Sequence, residues 1–557
     1  MPHTEGDPLV VETASGAVRG VAGEHRAGAA GAGATGSVRH WRGIPYAAAP
    51  VGALRFRRPQ PAPPWEGVRD ASAFGHAAPQ HENKAITLPP GVTQSEDCLT
   101  LNVTAPDAEG PHPVMVWVHG GAYVAGSSAQ PLFEPSQLAA EGRVVVVSLN
   151  YRLGALGFLD FSSFSGSSDS PEAFEANLGL HDILAGLAWV QENIAAFGGD
   201  PGSVTLFGES AGGGCVTTLL ATPTAEGLFH RAIAESSPAT SVSDAERAAT
   251  VAGRFLRLVG LEPAEAGRLR ELEPDVLSQA AFDLVAAVSA EAPGTLAIAP
   301  VVDGVLVPEH PVDAFREGRQ LRVPLVIGTN HDEASLFKLM KSPLMPITQS
   351  SVHAMFEAIL AERPDLATAV AAEAATAEAG SIHSGSAESG SAAVSVDLEA
   401  RIEAAYPRFP RHGSPAELSR DAGFRMPSIW LAAAHSRVAP TRMYRFDHAP
   451  AMLRLLGIGA THGAEIAYVF GTLDIAKKDP SFDLGGLKAA RRLSTEIRGR
   501  WAAFAHSGEP EVEGGETWPL YDETTRSTLV FDARGTVVDD PDPEIRRAWG
   551  DAVIAFR

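Results

Sequence analysis

Residues 204–213 read Val-Thr-Leu-Phe-Gly-Glu-Ser-Ala-Gly-Gly, and no other stretch restricts the fold as strongly. A short apolar run ends in a serine bracketed by Gly208 and Gly212, and Ala211 to Leu220 then continues without proline. This G-x-S-x-G string predicts a sharp corner at Ser210, with a strand before it and a helix over 211–220. Glycine two positions either side lets neighbouring backbone approach the corner, which lifts the serine Oγ clear of the sheet. In a chain with 55 glycines the bare string means little. Its position between an apolar run and a helix gives it weight.

A serine hydroxyl becomes a nucleophile only when a base takes its proton and donors hold the developing oxyanion. Val114–Val118 reads as a fully buried strand running into His119-Gly120-Gly121-Ala122-Tyr123. A glycine pair at that point frees backbone N–H groups to converge beside the N–H of Ala211, although an ordinary strand-end turn has the same composition. In a strand-serine-helix architecture the acid and the histidine follow the serine in the chain. A second buried strand, Val323–Gly328, ends in Thr329-Asn330-His331-Asp332-Glu333. A third, Met443–Phe446, is followed at a distance by Thr461-His462-Gly463-Ala464-Glu465. On physical grounds alone Asp332 and Glu333 are equal candidates for the acid, and His331, His448 and His462 for the base.

Further strings extend over most of the chain. They are Trp41-Arg42-Gly43-Ile44-Pro45-Tyr46-Ala47, Pro50-Val51-Gly52-Ala53-Leu54-Arg55-Phe56, Ser95-Glu96-Asp97-Cys98-Leu99-Thr100-Leu101-Asn102-Val103, Asn150-Tyr151-Arg152-Leu153-Gly154 and Asn193 through Pro201. In this order they resemble the type-B carboxylesterase and lipase family, which includes the cholinesterases and the bacterial para-nitrobenzyl esterases. The resemblance implies an α/β-hydrolase fold: a mostly parallel central sheet, helices on both faces and large helical insertions. Carried over residue by residue, it implies Ser210 as nucleophile, Glu333 as acid and His462 as general base. It implies an oxyanion hole from the N–H groups of Gly121, Ala122 and Ala211, and a substrate pocket including Glu209, Leu336 and Phe337. His119, Asp332 and Glu465 become supporting residues. The implied reaction is two-step acyl transfer on a small-molecule ester, with no metal and no cofactor.

The sequence departs from parts of this pattern. Ala122 stands where many eukaryotic members have glycine, and Gly120-Gly121-Ala122-Tyr123 resembles the signature of esterases that accept crowded tertiary alcohols. Cholinesterases carry a tryptophan about ten residues before the S-E-D-C cysteine, whereas Ala85-Ile86-Thr87-Leu88-Pro89-Pro90 offers no aromatic face for a quaternary ammonium. Neutral esters are the expected substrates, with carbamate or amide cleavage by the same triad as the alternative. A binding protein that has lost catalysis is a further alternative, disfavoured by the intact triad. A histidine base predicts activity rising with pH through about 6 to 7.

A triad drawn from residues 210, 333 and 462 requires one folded unit, so 1–557 is expected to be a single domain with a helical insertion beside the gorge around 351–440. Val10–Thr13 and Val18–Val21 predict a hairpin on the sheet edge. Two biased tracts, Arg26–Ser37 and 376–396, read as a surface loop and as a Ser/Gly/Ala-rich segment inside the insertion. The formal net charge of −23 argues against nucleic acid or an anionic membrane surface as partner. No run reaches the roughly 18 apolar residues of a membrane span. The N-terminal residues lack a signal-peptide pattern, and the two cysteines lack the family's disulfide spacing, so a cytoplasmic location is expected, as a monomer or weak homo-oligomer. Arginine far outnumbers lysine and alanine is abundant, pointing to a GC-rich bacterial genome.

Overall fold

The strand over residues 112–118 explains the layered core. In the computed structural model Val114, Val116 and Val118 enter one apolar cluster, while Met115 and Trp117 enter another on the opposite side. A strand apolar on both faces needs cover on both, which suits parallel strands joined by helical crossovers. The structure describes residues 7–26, 35–82, 86–165, 173–342, 344–366, 391–411, 413–475 and 479–556.

Among these residues the strands are β1 (Val10–Thr13), β2 (Gly16–Arg19), β3 (Val21–Arg26), β4 (Thr35–Pro45), β5 (Val68–Asp70), β6 (Thr100–Pro106), β7 (His112–Val118), β8 (Val145–Leu149), β9 (Gly199–Glu209), β10 (Arg231–Glu235), β11 (Leu325–Asn330), β12 (Thr441–Phe446), β13 (Ser527–Phe531) and β14 (Gly535–Asp539). An 11-stranded sheet runs in the order β14-β13-β12-β11-β10-β9-β7-β8-β6-β4-β3. From β8 to β13 the neighbours are parallel. Strands β6, β4 and β3 extend one edge antiparallel, and β14 closes the other.

One face of the sheet is covered by helices Leu178–Asn193, Ala211–Leu220 and Met426–Ser436, which contribute Leu187, Cys215 and Leu431 to the first cluster. The other face is covered by Ser136–Gly142, Ile466–Phe470 and Leu487–Ser507, which contribute Leu138, Val469 and Trp501 to the second. This mostly parallel sheet with helices on both faces is the α/β-hydrolase architecture.

The N-terminal hairpin forms, but not on the edge of the main sheet. β1 and β2 pair antiparallel and join β5 in a separate three-stranded sheet, and the edge position goes to β3. Gly20 lies between β2 and β3, and a Cβ there would fall 2.2 Å from the His40 carbonyl oxygen, so the chain changes sheet at its least bulky residue. Of the Gly/Ala-rich tract 26–37, residues 27–34 lie outside the described residues, flanked by the paired ends of β3 and β4. Residues 376–390 of the second biased tract also lie outside them.

The region 351–440 contains helices Gln349–Glu362, Ser391–Ala404, Ser414–Arg420 and Met426–Ser436. A second helical insertion, Ala245–Leu258 with Pro274–Glu291, lies between β10 and β11. The sequence reading placed no element there. Yet Ala248, Val251, Ala252, Phe255 and Leu256 repeat with the period of a buried helix face.

Candidate active site

The corner between β9 and helix Ala211–Leu220 is as tight as its glycines require. Ser210 has φ 58° and ψ −124°, a conformation that costs a non-glycine residue on the order of 1–3 kcal/mol. It is held there by its N–H, which donates to the Glu235 carbonyl at 3.0 Å, and by its carbonyl, which accepts from Gly214 N–H at 2.8 Å. A Cβ on Gly212 would sit 2.0 Å from the Val118 carbonyl oxygen, and one on Gly208 would sit 2.7 Å from it. The end of β7 and the corner therefore meet backbone to backbone.

Beyond β7 the chain turns through Gly121, Ala122 and Tyr123 with φ of 120°, 53° and 62°. Gly121 needs its glycine because a Cβ there would lie 2.0 Å from the Ala125 carbonyl oxygen. Two anchors hold the turn. The buried Tyr123 ring packs against Phe158, and the Gln80 amide both accepts from Gly126 N–H and donates to its carbonyl at 2.9 Å. Among the described residues the N–H groups of Gly121, Ala122 and Ala211 donate to no protein acceptor, and all three residues line the cavity that Ser210 faces. His119 is turned away: its ring stacks on Tyr151 and its Nδ1 bonds the Gly120 carbonyl.

His462 Nε2 lies 2.8 Å from Ser210 Oγ, and His462 Nδ1 lies 2.6 Å from Glu333 Oε2. Glu333 is fully buried, and its second oxygen accepts from Asn330 N–H at 2.7 Å and from the Ser236 hydroxyl at 2.6 Å. Its neighbour Asp332 faces the loop that carries His462: Oδ2 accepts from Ala460 N–H at 3.0 Å, while Asp332 N–H donates to the Ala460 carbonyl at 2.9 Å. His331 stays half exposed beside Asp332, and His448 sits beside Asp532. Of the three histidines open on physical grounds, His462 is the one that reaches Ser210.

Glu209 Oε1 approaches His462 Nε2 to 3.2 Å without a hydrogen bond, because that nitrogen is directed at Ser210. Burial opposes a charge on His462, but the Glu209 and Glu333 carboxylates and the hydrogen bond to Glu333 outweigh it and push the imidazole up to about 9. Burial pushes Glu209 up to about 7, with His462 opposing the shift and Glu333 adding to it. The 6 to 7 range expected for the base from sequence is therefore displaced upward, because tertiary packing brings two carboxylates onto one ring.

The match to known proteins extends well beyond these residues. A family model described as "Carboxylesterase family" matches residues 7–545. The para-nitrobenzyl esterase of Bacillus subtilis is 37% identical over 512 residues, covering 92% of this chain and 94% of that protein. The fumonisin B1 esterase of Sphingopyxis macrogoltabida is 33% identical, covering 93% and 86%. A solved thermophilic para-nitrobenzyl esterase superposes with a TM-score of 0.80 at 35% identity, covering 98% of this chain and all of the other. The chain belongs to the carboxylesterase family. It is a serine hydrolase of small-molecule carboxylic esters.

In this carboxylesterase a cavity of about 420 Å³ opens over Ser210, within the range of small-molecule sites. Glu209, Leu336 and Phe337, the residues that the resemblance implied for a pocket, all line it. So do Phe133, Phe282 and Phe424, which the sequence reading missed. Phe337 and Phe424 approach the His462 ring with centroids at 5.2 and 4.7 Å. Phe424 lies in a π-helical turn, Asp421–Arg425, and no local pattern gave it away. Ser236 was also missed. The available signal was its position at the end of β10, where it takes a positive φ of 46°. Among the described residues no three His, Cys, Asp or Glu side chains are arranged so that they could hold a metal ion, and no helix is long and apolar enough to cross a membrane.

Proposed function

We propose that this carboxylesterase hydrolyses neutral carboxylic esters by acyl transfer through Ser210. The arrangement that carries the reading is the line Ser210 Oγ, His462, Glu333 at 2.8 and 2.6 Å, set beside three unpaired N–H groups facing the same cavity. His462 Nε2 takes the hydroxyl proton as Oγ attacks the ester carbonyl. Glu333 holds Nδ1–H and stabilises the imidazolium, and the N–H groups of Gly121, Ala122 and Ala211 hold the oxyanion. The imidazolium then protonates the departing alkoxide, and water repeats the sequence on the acyl-enzyme.

The cavity wall supports neutral substrates. Its aromatic residues are phenylalanines, with no tryptophan or tyrosine among the described lining residues, and its titratable side chains are Glu209, His462 and His81. Binding then rests on apolar burial, at about 25 cal/mol per Å². 4-Nitrophenyl butyrate and benzyl esters should be hydrolysed with higher kcat/KM than butyrylthiocholine, and tert-butyl acetate should be accepted. A preference for the choline series would mean that the phenylalanines form a cation site. Matched ester, carbamate and anilide substrates should be turned over in that order, and faster carbamate cleavage would replace the ester reading.

Residues 1–557 are taken as one catalytic domain with its gorge-side insertion around 351–440. This is supported by a sheet whose strands run from Val21 to Asp539 and by Gly423 and Phe424 of that insertion lining the cavity. A cytoplasmic setting accords with Cys98 and Cys215, both unpaired and buried.

A further inference from the structure

Behind the triad, on the face of the sheet covered by helix Leu487–Ser507, four glutamates are buried together: Glu209, Glu235, Glu333 and Glu465, none more than 5% exposed. Glu209 and Glu235 are register partners at the ends of the adjacent parallel strands β9 and β10, so their side chains leave the sheet on the same face. Among the described residues no arginine or lysine pairs with any of the four, and the facing cation is His462. Arg498 and Arg500 on the covering helix are engaged elsewhere, with Glu141 and Glu496.

Solvation of the four is unequal. Glu333 accepts from His462, Asn330 N–H and Ser236. Glu465 accepts from the Asn330 amide and, at 3.5 Å, from the Ser236 hydroxyl, and burial together with the three neighbouring glutamates pushes it well above the usual carboxylate range. Glu209 has the contact with His462. Glu235 has one donor, Trp501 Nε1 at 2.6 Å, and its Oε2 has no partner in a site closed to water. The remaining titratable group facing this space is Tyr444, whose hydroxyl is also unpartnered and whose ring lies over Gly328, where a Cβ would come within 2.2 Å of it. Four charges in such a volume cannot be sustained, and protons cost least on the carboxyls that face no cation, Glu235 and Glu465; of these two Glu235 has the fewer donors.

We propose that Glu235 is a positioning residue that keeps its proton through the hydrolytic cycle, so that its neutral carboxyl limits the negative charge behind His462 and leaves the imidazole able to act as a base. Burial, partly opposed by the Trp501 hydrogen bond and reinforced by Glu209, pushes Glu235 up to about 8, in the same direction as the geometry. When Glu235 ionises, its charge joins that of Glu209 and holds His462 in the cationic form, which cannot take the Ser210 proton.

The inference rests on His462 being the base, and its test separates the two readings. In Glu235→Gln the Trp501 acceptor and the neutral state are both preserved. Its kcat/KM on a neutral chromogenic ester should coincide with the wild type below about pH 7 and exceed it by about twofold or more above about pH 8. A carboxyl raised in the fold from 4.5 to about 8 contributes stability that is fully present below about pH 4.5, is lost progressively as pH rises to about 8 and changes no further above it. The Tm of Glu235→Gln should therefore gain on the wild type between about pH 4.5 and 8 and run parallel to it at higher pH. In infrared spectra the variant should also lack one protonated-carboxyl stretch that the wild type shows at neutral pH and loses on alkalinisation. A Glu235→Gln profile moved to lower pH by about one unit throughout would mean that Glu235 is normally ionised and would overturn the proposal. Superimposable profiles and Tm curves at every pH would overturn it equally. Should the variant fail to fold, the wild-type infrared titration decides: absence of a protonated carboxyl titrating near pH 8 overturns the proposal. The Tm and infrared readouts need no turnover, so they stand even if His462 proves not to be the base.

Discussion

Around Ser210 the constraints are steric and local: three glycines, Gly120, Gly208 and Gly212, sit where any Cβ would come within 2.9 Å of the corner's own atoms or the end of β7. Around His462 they are electrostatic and drawn from far apart, from Glu209 on β9, Ser236 after β10, Asn330 and Glu333 at the end of β11, and the loop clamped by Asp332. The first region is rigid because close-packed backbone has no alternative arrangement. The second is tunable because each carboxylate shifts the proton affinity of the same ring. Changes in the first region should therefore abolish the site or leave it alone, whereas changes in the second should move its pH dependence by degrees.

The largest effect should come from Ser210→Ala, which leaves the corner's backbone intact and lowers kcat by roughly 10⁴-fold or more. Near-normal turnover by the folded variant would remove the serine side of the comparison altogether. A fluorophosphonate probe should label Ser210 in the wild type, as read by peptide mass spectrometry.

Next come the neighbouring acids. Glu333→Gln should lower kcat by about 10³- to 10⁴-fold, because a neutral amide no longer stabilises the imidazolium or fixes its tautomer. Asp332→Asn keeps an acceptor for Ala460 N–H and should cost less than about tenfold. Steady-state kinetics on both would show the order, and a reversed order would place the electrostatic control on the loop clamp instead.

The steric side can be probed without touching chemistry. Gly212→Ala drives a methyl into the Val118 carbonyl and should destabilise the fold by about 3 kcal/mol. Gly267→Ala, which has nothing within 4 Å, should be neutral or slightly stabilising. Denaturation midpoints measured side by side would test this, and equal midpoints would mean that the corner relaxes more easily than its packing implies.

The smallest effect sharpens the electrostatic side. His462 must be neutral to accept the serine proton, so kcat/KM rises with pH as the imidazolium titrates. Because the carboxylates raise that titration, the limb lies alkaline of an ordinary histidine. Removing the charge in Glu209→Gln leaves burial less opposed, and burial favours the neutral ring. The limb should move to lower pH by about one unit. A limb that stays in place in the pH–rate profile would show that Glu209 carries no charge in the working enzyme.

The sequence alone determined the elements that rest on local physics. The G-x-S-x-G string predicts a strand, a serine corner and the helix 211–220, and the helix runs over Ala211–Leu220. The apolar runs at 114–118, 323–328 and 443–446 become β7, β11 and β12, with β11 beginning only after Pro324, which has no N–H to offer the ladder. In each case the signal lies within the element it specifies, although the backbone that packs against it comes from elsewhere in the chain. The choice of Glu333 over Asp332, and of His462 over His331 and His448, was not legible in the residues and came from resemblance, since either acid could follow the strand. Only the tertiary structure decided that Glu333 points into the core while Asp332 holds the Ala460 loop, because the turn after β11 sends consecutive side chains in different directions. Nor could the sequence disclose Phe424 on the histidine ring or Glu235 opposite Glu209, or that the base is raised above the ordinary histidine range. Those properties arise from groups far apart in the chain that meet in a water-excluded space, where distance and burial, not residue type, set the energies.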